Sequence, residues 1–214
     1  MLCAHARPSD EVLLLDPLLE DRAARVRANL ADVVGALDFE LRLLSIYSEH
    51  FERLQGRAPY ARSVRFLHID GAHTAEAVEA DLDLAAWLVS TDGLVVLDDF
   101  LSPRYPQVTE AAYRWLFLHP GRFRLVLVDG HKGYLCRTGA LLRYQSFALE
   151  ALPGALSERG FATTVHKSSG FGDSFTVGVA RQDIWKVARR GPDWAPEEIE
   201  APVQRTSDDE WSEQ

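Results

Sequence analysis

Hydrophobic residues along this chain recur with two alternating periods. Glu11–Leu15 (EVLLL) is a short apolar run that stops at Asp16-Pro17, and it predicts a strand. Beyond it, Ala23, Val26, Leu30 and Val33/Val34 return at helical spacing and predict a helix over about Leu19–Leu37. Phe39–Ile46 predicts a second strand and Ser48–Gln55 a short helix. Further along, Val108–Leu118 reads as a helix and Phe123–Asp129 (FRLVLVD) as a strand, with His131–Arg137 as its hairpin partner. A long helix follows over about Ala140–Arg159, with a break expected at Pro153-Gly154 because proline cannot donate to the helix ladder. Thr163–Lys167 and Ser174–Ala180 close the pattern as two strands joined by a turn at Gly170–Gly172. Strands alternating with helices predict an α/β domain with a mainly parallel sheet.

The pattern is clearest in VRFLHIDGAHTAEAVEADLDLAAWLVSTDGLVVLDDF, residues 64–100. Arg65–Ile69 and Leu94–Leu97 are apolar runs suited to buried strands. Between them Val78, Leu82, Ala86 and Val89 lie on one helical face, while Glu76, Glu79 and Asp83 face away. Thr74 is placed to cap the helix start and Gly93 to stop its end. A unit of this length makes a right-handed crossover between parallel strands, about 4.8 Å apart if they are neighbours. Asp70 closes the first strand, Asp98 and Asp99 close the second, and His73 follows Asp70 by three residues. Ligands of open parallel sheets bind beyond the carboxyl ends of the strands, so these four side chains converge on the edge where such folds do chemistry. Singly, each reads equally well as a solvated loop residue. Together they favour a site in which the three carboxylates share one divalent cation such as magnesium, which prefers oxygen ligands.

Composition narrows the class. The chain has 214 residues, 47% hydrophobic, with a formal charge of −9. Eight acids against Arg205 lie between Pro192 and Gln214, so −7 resides in the last residues and −2 in the rest. That acidic, proline-containing stretch, 191–214, is expected to be a disordered tail behind a single domain over 1–190. No basic stripe suggests nucleic acid, and no apolar run reaches membrane-spanning length, so neither a nucleic-acid nor a membrane partner is expected, and the cytoplasm is the expected compartment. Cys3 and Cys136 have no metal-binding spacing, and nothing supports a disulfide between them. Asp16 reads either as a ribose-binding acid at a strand end or as a turn starter before Pro17. His68 is expected to be a core histidine, His166 structural, and His131-Lys132 a strand-end turn.

IDGAH, the helix with ADLDLAAW, DGLVVLDDF and the step at PQV resemble the class I S-adenosylmethionine-dependent methyltransferases. The resemblance is to their metal-dependent small-molecule and sugar O-methyltransferases, the macrolide sugar O-methyltransferase and cephalosporin-hydroxylase-like group. It covers residues 64–112 well and 11–64 loosely. It implies a Rossmann-like three-layer sandwich. Asp70, Asp98 and Asp99 would hold a divalent cation, magnesium or another, at the ends of the family's fourth and fifth strands. His73 would be the general base for a substrate hydroxyl. Asp16 would hold the cofactor ribose at the end of the second strand, Ser48 would lie near the adenine, and Asp70 would also border the cofactor. The family's first strand, glycine-rich loop and helix have no counterpart here. Glycines there let the backbone approach the cofactor, and their loss would expose sheet edges between the second and fourth strands. An N-terminally truncated product or a naturally shortened relative would each account for it, with residues 1–10, a second copy or another partner covering the edge.

The implied chemistry suits the residue types. Methyl transfer holds an oxygen nucleophile in line behind a sulfonium methyl group. A hydroxyl becomes a better nucleophile beside a Lewis acid and a base, and histidine is the side chain that most often serves as base near neutral pH. The leading expectation is therefore an S-adenosylmethionine-dependent, divalent-metal-assisted O-methyltransferase acting on a small hydroxylated molecule such as a sugar or secondary metabolite. A catalytically inactive methyltransferase-like binding or scaffold module is the alternative, with a metal-dependent hydrolase as a third reading.

Overall fold

The computed structural model describes residues 6–35, 39–51, 58–169 and 175–181. The expected Gly170–Gly172 turn, the 191–214 tail and Cys3 lie outside the described residues. Among the described residues, eight strands run in the order β1 (Glu11–Leu15), β2 (Glu40–Leu44), β3 (Val64–Ile69), β4 (Val89–Leu97), β5 (Phe123–Asp129), β6 (Lys132–Arg137), β7 (Thr163–Ser169) and β8 (Phe175–Arg181). The helices are α1 (Leu19–Val34), α2 (Ser48–Phe51), α3 (Ala75–Leu88), α4 (Pro106–Leu118), α5 (Leu141–Ser146) and α6 (Leu152–Glu158).

The α/β class holds, but the sheet is mixed rather than mainly parallel. Six strands pair in the order β3-β4-β6-β5-β8-β7. β3 with β4 and β5 with β8 are parallel, whereas β4–β6, β5–β6 and β7–β8 are antiparallel. The cause is local. Only Gly130 and His131 separate β5 from β6, and Gly130 adopts φ +56 to make the turn. A connection that short can join only antiparallel neighbours. β1 and β2 pair in parallel with each other, from Glu11↔Glu40 to Leu15↔Leu44, as a separate two-stranded sheet. The resemblance lacks a strand between the family's second and fourth strands, which are β1 and β3 here, and these two strands belong to separate sheets.

Period-two alternation along the strands builds three layers. On β6, Leu135 packs toward α3 and α4 with Val78, Leu82, Ala111 and Trp115. Its neighbour Cys136 packs on the opposite face with Val126, Val177 and Ala148. A third cluster, Phe51, Leu84 and Leu88 with Leu13, Leu15 and Leu44, ties the small sheet to α3. Two of the acids that the pattern put on the far side of α3 also reach α4. Glu79 accepts from Arg114 Nε at 2.6 Å, and Asp83 accepts from Trp115 Nε1 at 2.8 Å.

Two punctuation marks differ from the sequence reading. Thr74 caps α3 as predicted, its Oγ1 accepting the Ala77 N–H at 3.3 Å. Gly93, however, does not end the helix. α3 stops at Leu88, Val89 already opens β4, and Gly93 lies inside the strand. A Cβ on Gly93 would stand 2.7 Å from the Val64 carbonyl oxygen and 2.6 Å from Val89 Cγ1, so close strand approach is what selects glycine there. The helix end is served by Arg137 from β6. Its buried guanidinium donates through Nη2 to Ala86 O at 2.6 Å, a last-turn carbonyl of the helix, and to Val89 O at 2.8 Å where β4 begins. The helical stretch over 141–158 also deviates earlier than Pro153-Gly154, in a π-turn at Phe147–Ala151 that absorbs the ladder position Pro153 cannot fill.

Candidate active site

β3 and β4 are adjacent and parallel with Ile69 opposite Leu97, so Asp70 and Asp98 leave the sheet side by side. The Asp98 N–H donates to Ile69 O at 2.9 Å and extends the pairing by one step. The chain then turns sharply. Asp99 adopts φ +52, a left-handed conformation that aspartate tolerates better than most residues. This turn aims the Asp99 carboxylate at the loop after β3, where its Oδ2 lies 2.9 Å from His73 Nε2. The imidazole is stacked on the Tyr105 ring at 3.8 Å between centroids and 12° between planes. Tyr105 lies at the start of α4 and carries the Arg104 guanidinium 5.3 Å from its own ring centroid. Gly71 packs closely on α3: a Cβ there would stand 2.8 Å from Oδ2 of buried Asp81, whose carboxylate would have to move.

One ligand atom each from Asp70, His73 and Asp99 lie within 4.8 Å of one another. Two carboxylates and an imidazole suit a divalent cation, and a set with one nitrogen donor suits manganese as well as magnesium. The residues thus fit the cation that the sequence resemblance implies. Asp98 does not join this group. Its Oδ1 accepts the Asp99 N–H at 2.9 Å, and its Oδ2 takes Lys132 Nζ at 2.5 Å and has His68 Nε2 at 3.5 Å. Partial burial pushes the Asp98 carboxyl up. The hydrogen bonds from Lys132 and from the Asp99 N–H, with the Lys132 and His68 charges, outweigh it and hold the pKa below the ordinary carboxylate value. His68 is therefore an exposed member of the site's margin and not a core histidine. Lys132 does close a strand-end turn, opposite Asp129, but its ammonium also reaches the site. The two residues were missed for different reasons. Alternation signalled His68, two positions before Asp70, whereas Lys132 depends on the pairing of β6 with β4.

A shallow concavity, open to solvent, lies over Ile69, Asp70, His73, Val78, Asp98 and Val108. Its enclosed space of about 10 Å³ is roughly that of one water-sized sphere, enough for a cation or a single reacting atom and far below what a drug-sized ligand needs. The other two sequence-marked residues stand apart, at the carboxyl end of the small sheet. Asp16 follows β1, and its Oδ1 accepts the Leu18 N–H at 2.7 Å, a turn-forming bond that leaves the second oxygen available. Ser48 opens α2 beyond β2. Among the described residues no helix is long and apolar enough to cross a membrane.

Residues 1–100 match the family model described as a methyltransferase domain. The match covers just under half of the chain and makes this stretch similar to a methyltransferase domain. The matched stretch ends at Phe100, so it contains every sequence-marked site residue and stops short of Lys132 and Tyr105. No curated protein matches the chain. Among solved structures, CalS11, described as a TDP-rhamnose 3'-O-methyltransferase of calicheamicin biosynthesis, aligns at 17% identity and TM-score 0.46. The alignment covers 62% of this chain and 61% of that one. The O-methyltransferase NovP aligns at 24% identity and TM-score 0.43, over 54% of this chain and 44% of NovP. The aligned part of this chain thus spans less than two thirds of the length of either protein.

Proposed function

We propose that the chain catalyses S-adenosylmethionine-dependent methylation of a hydroxyl on a small molecule, a sugar or secondary metabolite, assisted by a divalent cation. The observation that carries this reading is the Asp99–His73–Tyr105 arrangement beside Asp70, on the strand edge of a methyltransferase domain. A hydrogen bond from Nε2–H to Asp99 leaves Nδ1 of His73 as the acceptor for a hydroxyl proton, and the Tyr105 stack fixes the ring plane. Asp70 and Asp99 would hold the cation, with His73 or Asp98 completing the set. When bound, the cation lowers the pKa of a neighbouring hydroxyl. Asp16 and Ser48 would meet the ribose and adenine of the cofactor. The concavity itself admits only the reacting group, so the cofactor would lie across the edge toward β1 and the acceptor above His73.

A second reading, a non-catalytic methyltransferase-like module, is favoured by one specific feature. The small sheet carrying Asp16 and Ser48 is separate from the sheet carrying Asp70, which would weaken a cofactor site spanning both. Calorimetric titration of S-adenosylmethionine, with magnesium and with chelator, separates the two. Binding with magnesium supports the enzyme, and no binding under either condition refutes it for this chain. In the binding-competent protein, His73→Ala should abolish turnover and spare cofactor affinity; unchanged turnover removes His73 as the base.

A further inference from the structure

We propose that Lys132 is a tethered cation that competes with a divalent cation for the Asp98 carboxylate and so sets the affinity of the site for metal. The inference rests on the divalent-cation reading above and concerns what this chain's own residues do to it.

The fold delivers the ammonium to that carboxylate by register. Leu97 of β4 pairs with Gly133 of β6, so Asp98 and Lys132 are the next residues beyond the last antiparallel pair. The hairpin is clamped to the β4 turn by its backbone. The Phe100 N–H donates to His131 O at 2.7 Å, and the Phe100 ring fills the space over Gly133, where a Cβ would stand 2.7 Å from Phe100 Cγ. Lys132 is therefore brought to Asp98 whether or not the two side chains attract, and its side chain can change without unseating the hairpin.

The charged and polar groups around Asp98 are Lys132 Nζ and His68 Nε2 on Oδ2, and the Asp99 N–H on Oδ1. With both oxygens engaged, Asp98 stays out of the group formed by Asp70, His73 and Asp99. The Lys132 side chain is 40% exposed, and an ion pair of that exposure is weak. A divalent cation carries twice the charge of an ammonium and is attracted by three carboxylates at once, so it can displace Lys132 and recruit Asp98. That exchange would also release His73 Nε2 from ligand duty, leaving the imidazole to act as base. Until displaced, the ammonium neutralises Asp98 and denies an incoming cation its third carboxylate. At a few ångströms in a half-exposed setting, losing that carboxylate's attraction lowers affinity by about tenfold.

The test is manganese titration of the full chain, read by calorimetry and by the paramagnetic resonance signal of free manganese. Wild type is compared with Lys132→Met, Lys132→Arg, Asp98→Asn and the Lys132→Met/Asp98→Asn double variant. Lys132→Met should bind manganese about tenfold more tightly than wild type, Lys132→Arg should stay within about twofold of wild type, and the gain should vanish in the Asp98→Asn background. Metal-free melting temperatures confirm that each variant is folded. Equal affinities for wild type and Lys132→Met overturn the proposal, as does a gain that persists without Asp98. The divalent reading is judged separately. Equal but measurable binding by both proteins leaves it standing while this inference fails, binding by Lys132→Met alone supports the inference against metal use by the native chain, and binding by neither removes both.

Discussion

Replacing Asp99 separates two roles that its backbone and side chain play. The residue holds φ +52, which costs a non-glycine residue on the order of 1 kcal/mol. Its carboxylate bonds His73 at 2.9 Å with both side chains only about a quarter to a third exposed, an interaction of about 1–1.5 kcal/mol. Asp99→Gly loses the bond but gains the relaxed backbone, so the two terms nearly cancel. Asp99→Ala loses the bond and keeps the strain, a net cost of about 1–2 kcal/mol. Asp99→Asn keeps a residue suited to this conformation and an oxygen that still accepts from His73. For a chain of this size, each kcal/mol moves the melting temperature by about 2–4 °C. Glycine and asparagine variants should therefore melt close to wild type, and alanine about 3–6 °C lower. In ¹⁵N NMR of the imidazole, glycine and alanine should both lose the fixed tautomer of His73, and methyl transfer should fall by about a hundredfold or more in both. If Asp99→Gly melts as low as Asp99→Ala, the left-handed backbone is not costing what is argued. If it keeps turnover and the His73 tautomer, Asp99 is not part of the catalytic machinery.

Three further outcomes are expected. Tyr105→Phe should preserve turnover, because the aromatic stack on His73 survives, whereas Tyr105→Ala should lower kcat about tenfold or more with a smaller change in KM; equal activity of the two would exclude the stack as a positioning device. Arg137→Met should destabilise by about 2–4 kcal/mol in urea unfolding by orphaning Ala86 O and Val89 O at the end of α3, and a loss under 1 kcal/mol would show that water replaces the guanidinium. Burial raises the Cys136 thiol to about 12 from an ordinary value near 9, so the unfolded chain ionises first. The stability that this thiol contributes is complete below about pH 9 and lost as pH rises toward 12, by up to roughly 1.4 kcal/mol for each pH unit. Cys136→Ala should flatten that alkaline limb, and an unchanged limb would assign it to other groups.

The β3–α3–β4 unit was legible because its signals are local. Alternating apolar residues, the Thr74 cap and acids at both strand ends lie within 37 consecutive residues, and right-handed crossover leaves one way to join them. Glu11–Leu15 and Phe123–Asp129 were read to their ends for the same reason. Gly93 was misplaced because a glycine that ends a helix and one that admits a neighbouring carbonyl look alike in one dimension. Only the proximity of Val64 O tells them apart.

By itself, then, the sequence determined which groups reach the carboxyl edge of β3 and β4: Asp70 and His73 just after the first strand, Asp98 and Asp99 just after the second. It could not decide how those groups divide the work. That depended on β6 lying antiparallel between β4 and β5, which brings Lys132 to Asp98 and leaves Asp70 and Asp99 to His73. The physical reason is that strand ends are set by short-range pattern, whereas the partner of a charge is set by the register of strands distant in sequence.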